Sequence, residues 1–171
     1  MYPDGQLMVQ DLSKWQALDD QDPSLELDGQ ELRAVSVGHS DTDDTSVLWV
    51  PSLKLVVAGD VVYNSAFQWI VESPTAELRQ KWIEAVEKVR ELGPTSIVTG
   101  HKRTGAVDGL WTLDWTRHYL ETWGRLEEEV RREGGGGKEM FWRVKREFPD
   151  NEGDLVLWLS SLAQFGELGG F

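Results

Sequence analysis

The rhythm of apolar and polar positions changes several times along the chain, and each rhythm predicts an element. Residues 31–37 (ELRAVSV) alternate and end in β-branched side chains, the pattern of a half-buried strand. Residues 38–45 (GHSDTDDT) are dense in turn formers and predict a loop. Residues 46–50 predict a second strand, Pro51-Ser52 a tight turn, and residues 53–58 (LKLVVA) a third strand ending at Gly59-Asp60. The segment 46–58 therefore reads as an antiparallel hairpin. Ser73-Pro74-Thr75 has the form of a helix start, with Ser73 as the capping hydroxyl, a proline at the first helical position and Glu77 in the first turn. Leu78, Trp82, Ala85, Val86, Val89 and Leu92 then recur at three- and four-residue steps, which is one apolar face of a helix, and Gly93-Pro94 stops it. Residues 96–99 (SIVT) predict a short strand running into Gly100-His101. Strand, long helix and strand in succession predict a layered α/β arrangement.

The remainder reads as helical. A second long helix is expected over residues 110–133, with Leu113, Leu120, Trp123, Leu126 and Val130 near one face. Gly134 to Gly137 form the one low-complexity stretch, expected as a flexible break. Residues 138–148 predict a short helix stopped by Pro149, and residues 155–165 another. The first 25 residues are polar and acidic, punctuated by Pro3, Gly5 and Pro23. Three parts follow: an acidic arm over 1–25, an α/β domain over 26–133, and a glycine-rich break with a helical segment over 134–171.

Charge narrows the functional classes. Seventeen basic against thirty acidic side chains give a formal charge of −13. Phosphate contacts need clustered Lys and Arg, so a nucleic-acid partner is not expected. Anionic lipid is disfavoured on the same ground, and no apolar run approaches the length of a membrane span. The first residues lack the basic and apolar regions of a secretory signal. With no cysteine there is no disulfide, thiolate metal knot or thiol nucleophile, which fits a cytoplasmic protein.

Candidate chemistry then rests on three strand ends. His39 follows Val37-Gly38, Asp60 follows Ala58-Gly59, and His101 follows Thr99-Gly100. Sites in layered α/β folds gather at strand ends, where loops bring distant residues together. A glycine allows a sharp exit and a close backbone approach. Two imidazoles and a carboxylate suit zinc, and also iron or manganese. Each position also has a structural reading, because a histidine or a Gly-Asp pair after a strand is ordinary turn chemistry. Asp41, Asp43 and Asp44 are expected as solvated turn groups, unless one of them orients His39 by a hydrogen bond. His118 reads as a packing or surface residue, and Trp69 as either a packing residue or the rim of a pocket beside Asp60.

Taken together, Gly38-His39-Ser40-Asp41-Thr42-Asp43-Asp44, Val50-Pro51-Ser52-Leu53, Ala58-Gly59-Asp60-Val61-Val62-Tyr63-Asn64 and Gly100-His101-Lys102-Arg103 resemble the second half of the metallo-β-lactamase superfamily. The resemblance runs from about residue 26 to about residue 103. It implies an αβ/βα sandwich with a zinc site at one edge and a metal-bound hydroxide that hydrolyses esters, thioesters or lactones. By position, His39 resembles a ligand of the first metal, Asp60 the carboxylate bridging both metals, and His101 the last ligand of the second. The family's upstream His-x-His-x-Asp-His motif has no counterpart, since no histidine precedes His39. The fold expected is thus roughly the C-terminal half of the sandwich with extra C-terminal helices.

The resulting expectation is a reduced metal site of His39, Asp60 and His101 holding one zinc, iron or manganese ion, with Asp60 and His101 as the catalytic pair. Lys102, Arg103 and Trp69 are expected to meet a small-molecule substrate. The alternative is a metal-free catalyst of the isomerase or cyclase type, or a partner-binding pseudoenzyme. A half-sandwich exposes one sheet face, which predicts a homodimer or a partner that covers it.

Overall fold

The computed structural model describes residues 17–19, 21 and 23–168. Most of the expected N-terminal arm lies outside them, and its last two residues, Ser24 and Leu25, belong to a strand. The strands are β1 (Ser24–Leu27), β2 (Gln30–Gly38), β3 (Thr45–Val50), β4 (Leu55–Gly59) and β5 (Ser96–Thr99). The helices are α1 (Ala76–Glu91), α2 (Trp111–Arg132), α3 (Gly137–Glu147) and α4 (Asp154–Gln164).

The strands form one sheet in sequence order. β1 to β4 are antiparallel neighbours, and β5 returns parallel to β4 after the α1 crossover. The hairpin predicted over 46–58 is β3–β4, with Leu48 opposite Val57 and Val50 opposite Leu55. Its turn is a 3-10 turn over Pro51–Leu53 closed by Lys54 in the left-handed region, so β4 begins at Leu55 rather than at residue 53.

Cross-strand partners share a face. Val35 opposite Val47, and the row Trp49, Val56 and Ile97, face the helices and help form the core with Val37, Ala58, Trp82, Val86, Leu120 and Trp123. The other face carries the row Ala34, Leu48, Val57 and Val98, one residue from each of β2 to β5, and the last two are exposed. Among the described residues, helices cover one side of this sheet.

The start of α1 lies two residues beyond the sequence expectation. Thr75, not Ser73, is its N-cap, and the Thr75 hydroxyl accepts from the Leu78 amide at 3.2 Å. Ser73 is buried and engaged elsewhere. A buried Arg79 on α1 pairs with Glu127 on α2 at 2.6 Å and donates to the Ser73 and Pro74 carbonyls. Gln164 at the end of α4 donates to Glu127 at 2.8 Å, so one polar cluster joins three helices. Burial lowers the Arg79 pKa from its ordinary value, while the Glu127 charge opposes that shift. The four glycines form a hydrogen-bonded turn, with Gly135 N donating to Val130 O at 2.9 Å, and the last of them opens α3. α3 packs on α4 and on α2. His118 packs its ring on Phe148, with centroids 5.9 Å apart.

Candidate functional site

The three loops that leave β2, β4 and β5 are shaped by their glycines. Gly38 (φ 90°) and Gly59 (φ 52°) occupy the left-handed region, which turns the chain sharply off the sheet. Gly100 is required for a different reason. A Cβ there would overlap the Asp60 carboxylate and come within 2.7 Å of the Gly59 carbonyl oxygen. The backbone of the β5 exit therefore lies directly against Asp60.

That close approach brings His101 to Asp60. The His101 Nε2 stands 3.4 Å from Asp60 Oδ2, and the side chains are 67% and 38% exposed, respectively. The loop carrying His101 is stitched to the segment after β4: Asn64 N donates to His101 O, and Arg103 N donates to Asn64 O, both at 2.9 Å. Asp108 locks this loop from the far side. It accepts from Thr99 at 2.7 Å, Asn64 at 2.9 Å and Lys102 at 2.7 Å. Desolvation acts to raise the Asp108 pKa, yet the hydrogen bonds from Lys102, Asn64 and Thr99 outweigh it and hold the carboxyl down at about 2.

Asp60 and His101 open onto a cleft of about 340 Å³. Asp41, Tyr63, Phe67 and Trp69 also line it. Its size and largely aromatic wall suit a small molecule. Burial raises the Asp41 pKa, the Ser40 hydroxyl opposes the shift, and the nearby Asp60 charge adds to it. Burial, with the Asp60 and Asp41 charges, pushes the Tyr63 phenol well above its ordinary value, so it stays a protonated donor. The Tyr63 and His101 rings lie side by side at a tilt of 30°, with centroids 5.5 Å apart.

His39 does not join them. It is 9% exposed, and both ring nitrogens have partners in the protein: Nδ1 meets Asp43 Oδ1 at 2.6 Å and Nε2 meets Ser73 Oγ at 2.8 Å. Ser73 Oγ, which meets the His39 Nε2, also lies 2.8 Å from the Ser40 carbonyl. The carboxylate of Asp43 accepts from the other nitrogen. His39 acts as a brace between the β2 exit and the start of α1. Trp69 lines the cleft with Asp60, whereas Lys102 turns to Asp108 and Arg103 borders a separate cavity. The sequence reading gave Tyr63 and Asp108 no site role and took Ser73 for a helix cap; none of the three carries a local signature of the role it has here.

The Metallo-beta-lactamase superfamily profile matches residues 16–101, half of the chain. The chain belongs to this superfamily. Among solved structures, a metallo-beta-lactamase family protein from Thermus thermophilus is similar over 82% of this chain and 44% of its own, with a TM-score of 0.53 at 16% identity. A metallo-beta-lactamase from Pontibacter korlensis is similar over 58% of this chain and 46% of its own, with a TM-score of 0.46 at 22% identity. The chain thus spans less than half the length of these superfamily structures, and the Thermus likeness bears on fold alone. A comparison with curated proteins gives no match.

Zinc is the metal that the superfamily implies, and the donor set here does not fit it. Both His39 nitrogens already have partners within the fold, Asp43 and Ser73, and His39 does not line the cleft that holds Asp60 and His101. Among the described residues no three His, Asp or Glu side chains are grouped to hold one ion. Asp60 and His101 are the two superfamily positions that share the cleft.

Proposed function

We propose that the cleft hydrolyses a small ester, thioester or lactone, with Asp60 and His101 handling the proton and Tyr63 polarising the carbonyl. The observation that carries this reading is the Asp60–His101 pair, 3.4 Å apart at the wall of a cleft of small-molecule size. Asp60 faces Nε2, which favours the tautomer with its proton there and leaves Nδ1 as the basic nitrogen. His101 then takes a proton from water while the water oxygen bonds to the carbonyl carbon. The Tyr63 hydroxyl donates to the carbonyl oxygen as it becomes an oxyanion. Collapse breaks the C–O or C–S bond, and the proton on His101 passes to the leaving alkoxide or thiolate. An acid and an alcohol or thiol result.

Turnover of a panel of small lactones, esters and thioesters tests the reading. His101→Ala is expected to lower kcat/KM by about 100-fold or more. Treatment with EDTA is expected to leave the rate unchanged. Full activity in the variant would overturn the proposal.

The second reading is the superfamily's zinc chemistry, favoured by family membership. It needs donors beyond Asp60 and His101. Loss of activity with EDTA, restored by zinc alone, would select it over the first. We also take the protein to be cytoplasmic, given the absence of cysteine, and to pair with a second copy through the open sheet face.

A further inference from the structure

The segment 63–67 has a cavity on either side. Ala66 and Phe67 line the cleft already described, while Ser65 lines a second cavity of about 260 Å³ bordered by Arg103, Trp115, Phe148 and Asn151. Two groups there lack partners. The Arg103 guanidinium makes no hydrogen bond or ion pair within the described residues, although its backbone amide is fixed by Asn64 at 2.9 Å. Asn151 is 7% exposed, and its Nδ2 is buried with no hydrogen-bond partner. Burying a donor unpaired is costly, and such a group is ordinarily satisfied by water, an ion or a ligand.

We infer that this second cavity binds a small flat carboxylate, with Arg103 and Asn151 as its donors and Trp115 as its wall. The guanidinium presents paired N–H groups matched to a carboxylate, and an Asn amide adds a neutral donor. The terminal torsion of an Asn side chain is broad, so Nδ2 can turn toward a bound oxygen. Trp115 and Phe148 meet edge to face, with centroids 6.2 Å apart, and give a flat apolar ligand a rigid surface. Two carboxylates also border the cavity, but neither neutralises Arg103. Glu147 faces Arg125 at 3.6 Å, and Asp150 is exposed to water. This site is separate from the Asp60–His101 pair and does not depend on turnover there.

The test is titration of the full chain with sodium benzoate, followed by NMR of the side-chain amides and tryptophan indoles. Saturable shifts are expected at the Asn151 amide and the Trp115 indole. Arg103→Gln, at an exposed position, is expected to weaken binding about tenfold and to leave the remaining spectrum in place. Benzylamine, which has the opposite charge, is expected to give no saturable shift at these groups. The inference is overturned by absence of saturation, by equal benzoate affinity in Arg103→Gln, by equal binding of benzylamine, or by shifts confined to Trp69 in the other cleft.

Discussion

His39 keeps its place in the family pattern while both of its ring nitrogens are held within the fold. Its neighbours in the sequence, Gly38 before and three aspartates after, are those of a ligand loop. Its partners are Asp43, four residues on, and Ser73, thirty-four residues away. The Asp43 contact was open to reading from the sequence, because an acidic loop so near can fold back on the ring. The Ser73 contact was not: Ser-Pro-Thr is locally a helix-capping signal, and only packing decides that Thr75 takes the cap while Ser73 turns inward. Ser73→Ala would leave the Ser40 carbonyl without its donor and the His39 Nε2 without its partner, both buried. We expect a cost of about 1–3 kcal/mol, measured as a shift of the urea midpoint. A cost near zero would mean that the brace contributes nothing.

At the scale of elements, the β5 exit loop is held by one acidic side chain. Asp108 joins Thr99 at the end of β5, Asn64 after β4, and Lys102 beside His101. Its carboxyl sits at about 2 in the folded protein against an ordinary 3.8. A depressed carboxyl stabilises the fold above the unfolded value and loses that contribution as pH falls toward the folded one. Asp108→Asn is therefore expected to cost about 1–2 kcal/mol at pH 7, allowing for partial screening. The gap to the parent protein should narrow between pH 4 and pH 2 in denaturant titrations, and a gap independent of pH would contradict the assignment. The elements themselves were legible because their signals are local. The alternation of β2, the β3–β4 hairpin and the apolar stripe of α1 need only nearby residues. The bond pattern of Asp108 was not legible, since Asn64 reaches it from forty-four residues away and no local motif singles out this carboxylate.

At the scale of the molecule, the described residues form a sheet with helices on one side. The uncovered face carries the row Ala34, Leu48, Val57 and Val98, with Val57 and Val98 open to solvent. Pairing with a second copy would bury that row. Val57→Lys is expected to shift a dimer toward monomer in sedimentation velocity, with little change in the fold because the side chain is already exposed. Parent protein that sediments as a monomer at all concentrations would refute the pairing. The sequence by itself determined the order of strands and helices from β2 onward, the glycine exits from three strands, and the superfamily to which those exits point. All of these depend on residues close together in the chain. Only the tertiary structure decided that Asp60 and His101 share a cleft, that His39 braces the fold, and that Arg103 borders a cavity with an unpaired Asn151. Those outcomes depend on which distant side chains meet and which polar groups find partners, and three-dimensional packing alone sets that.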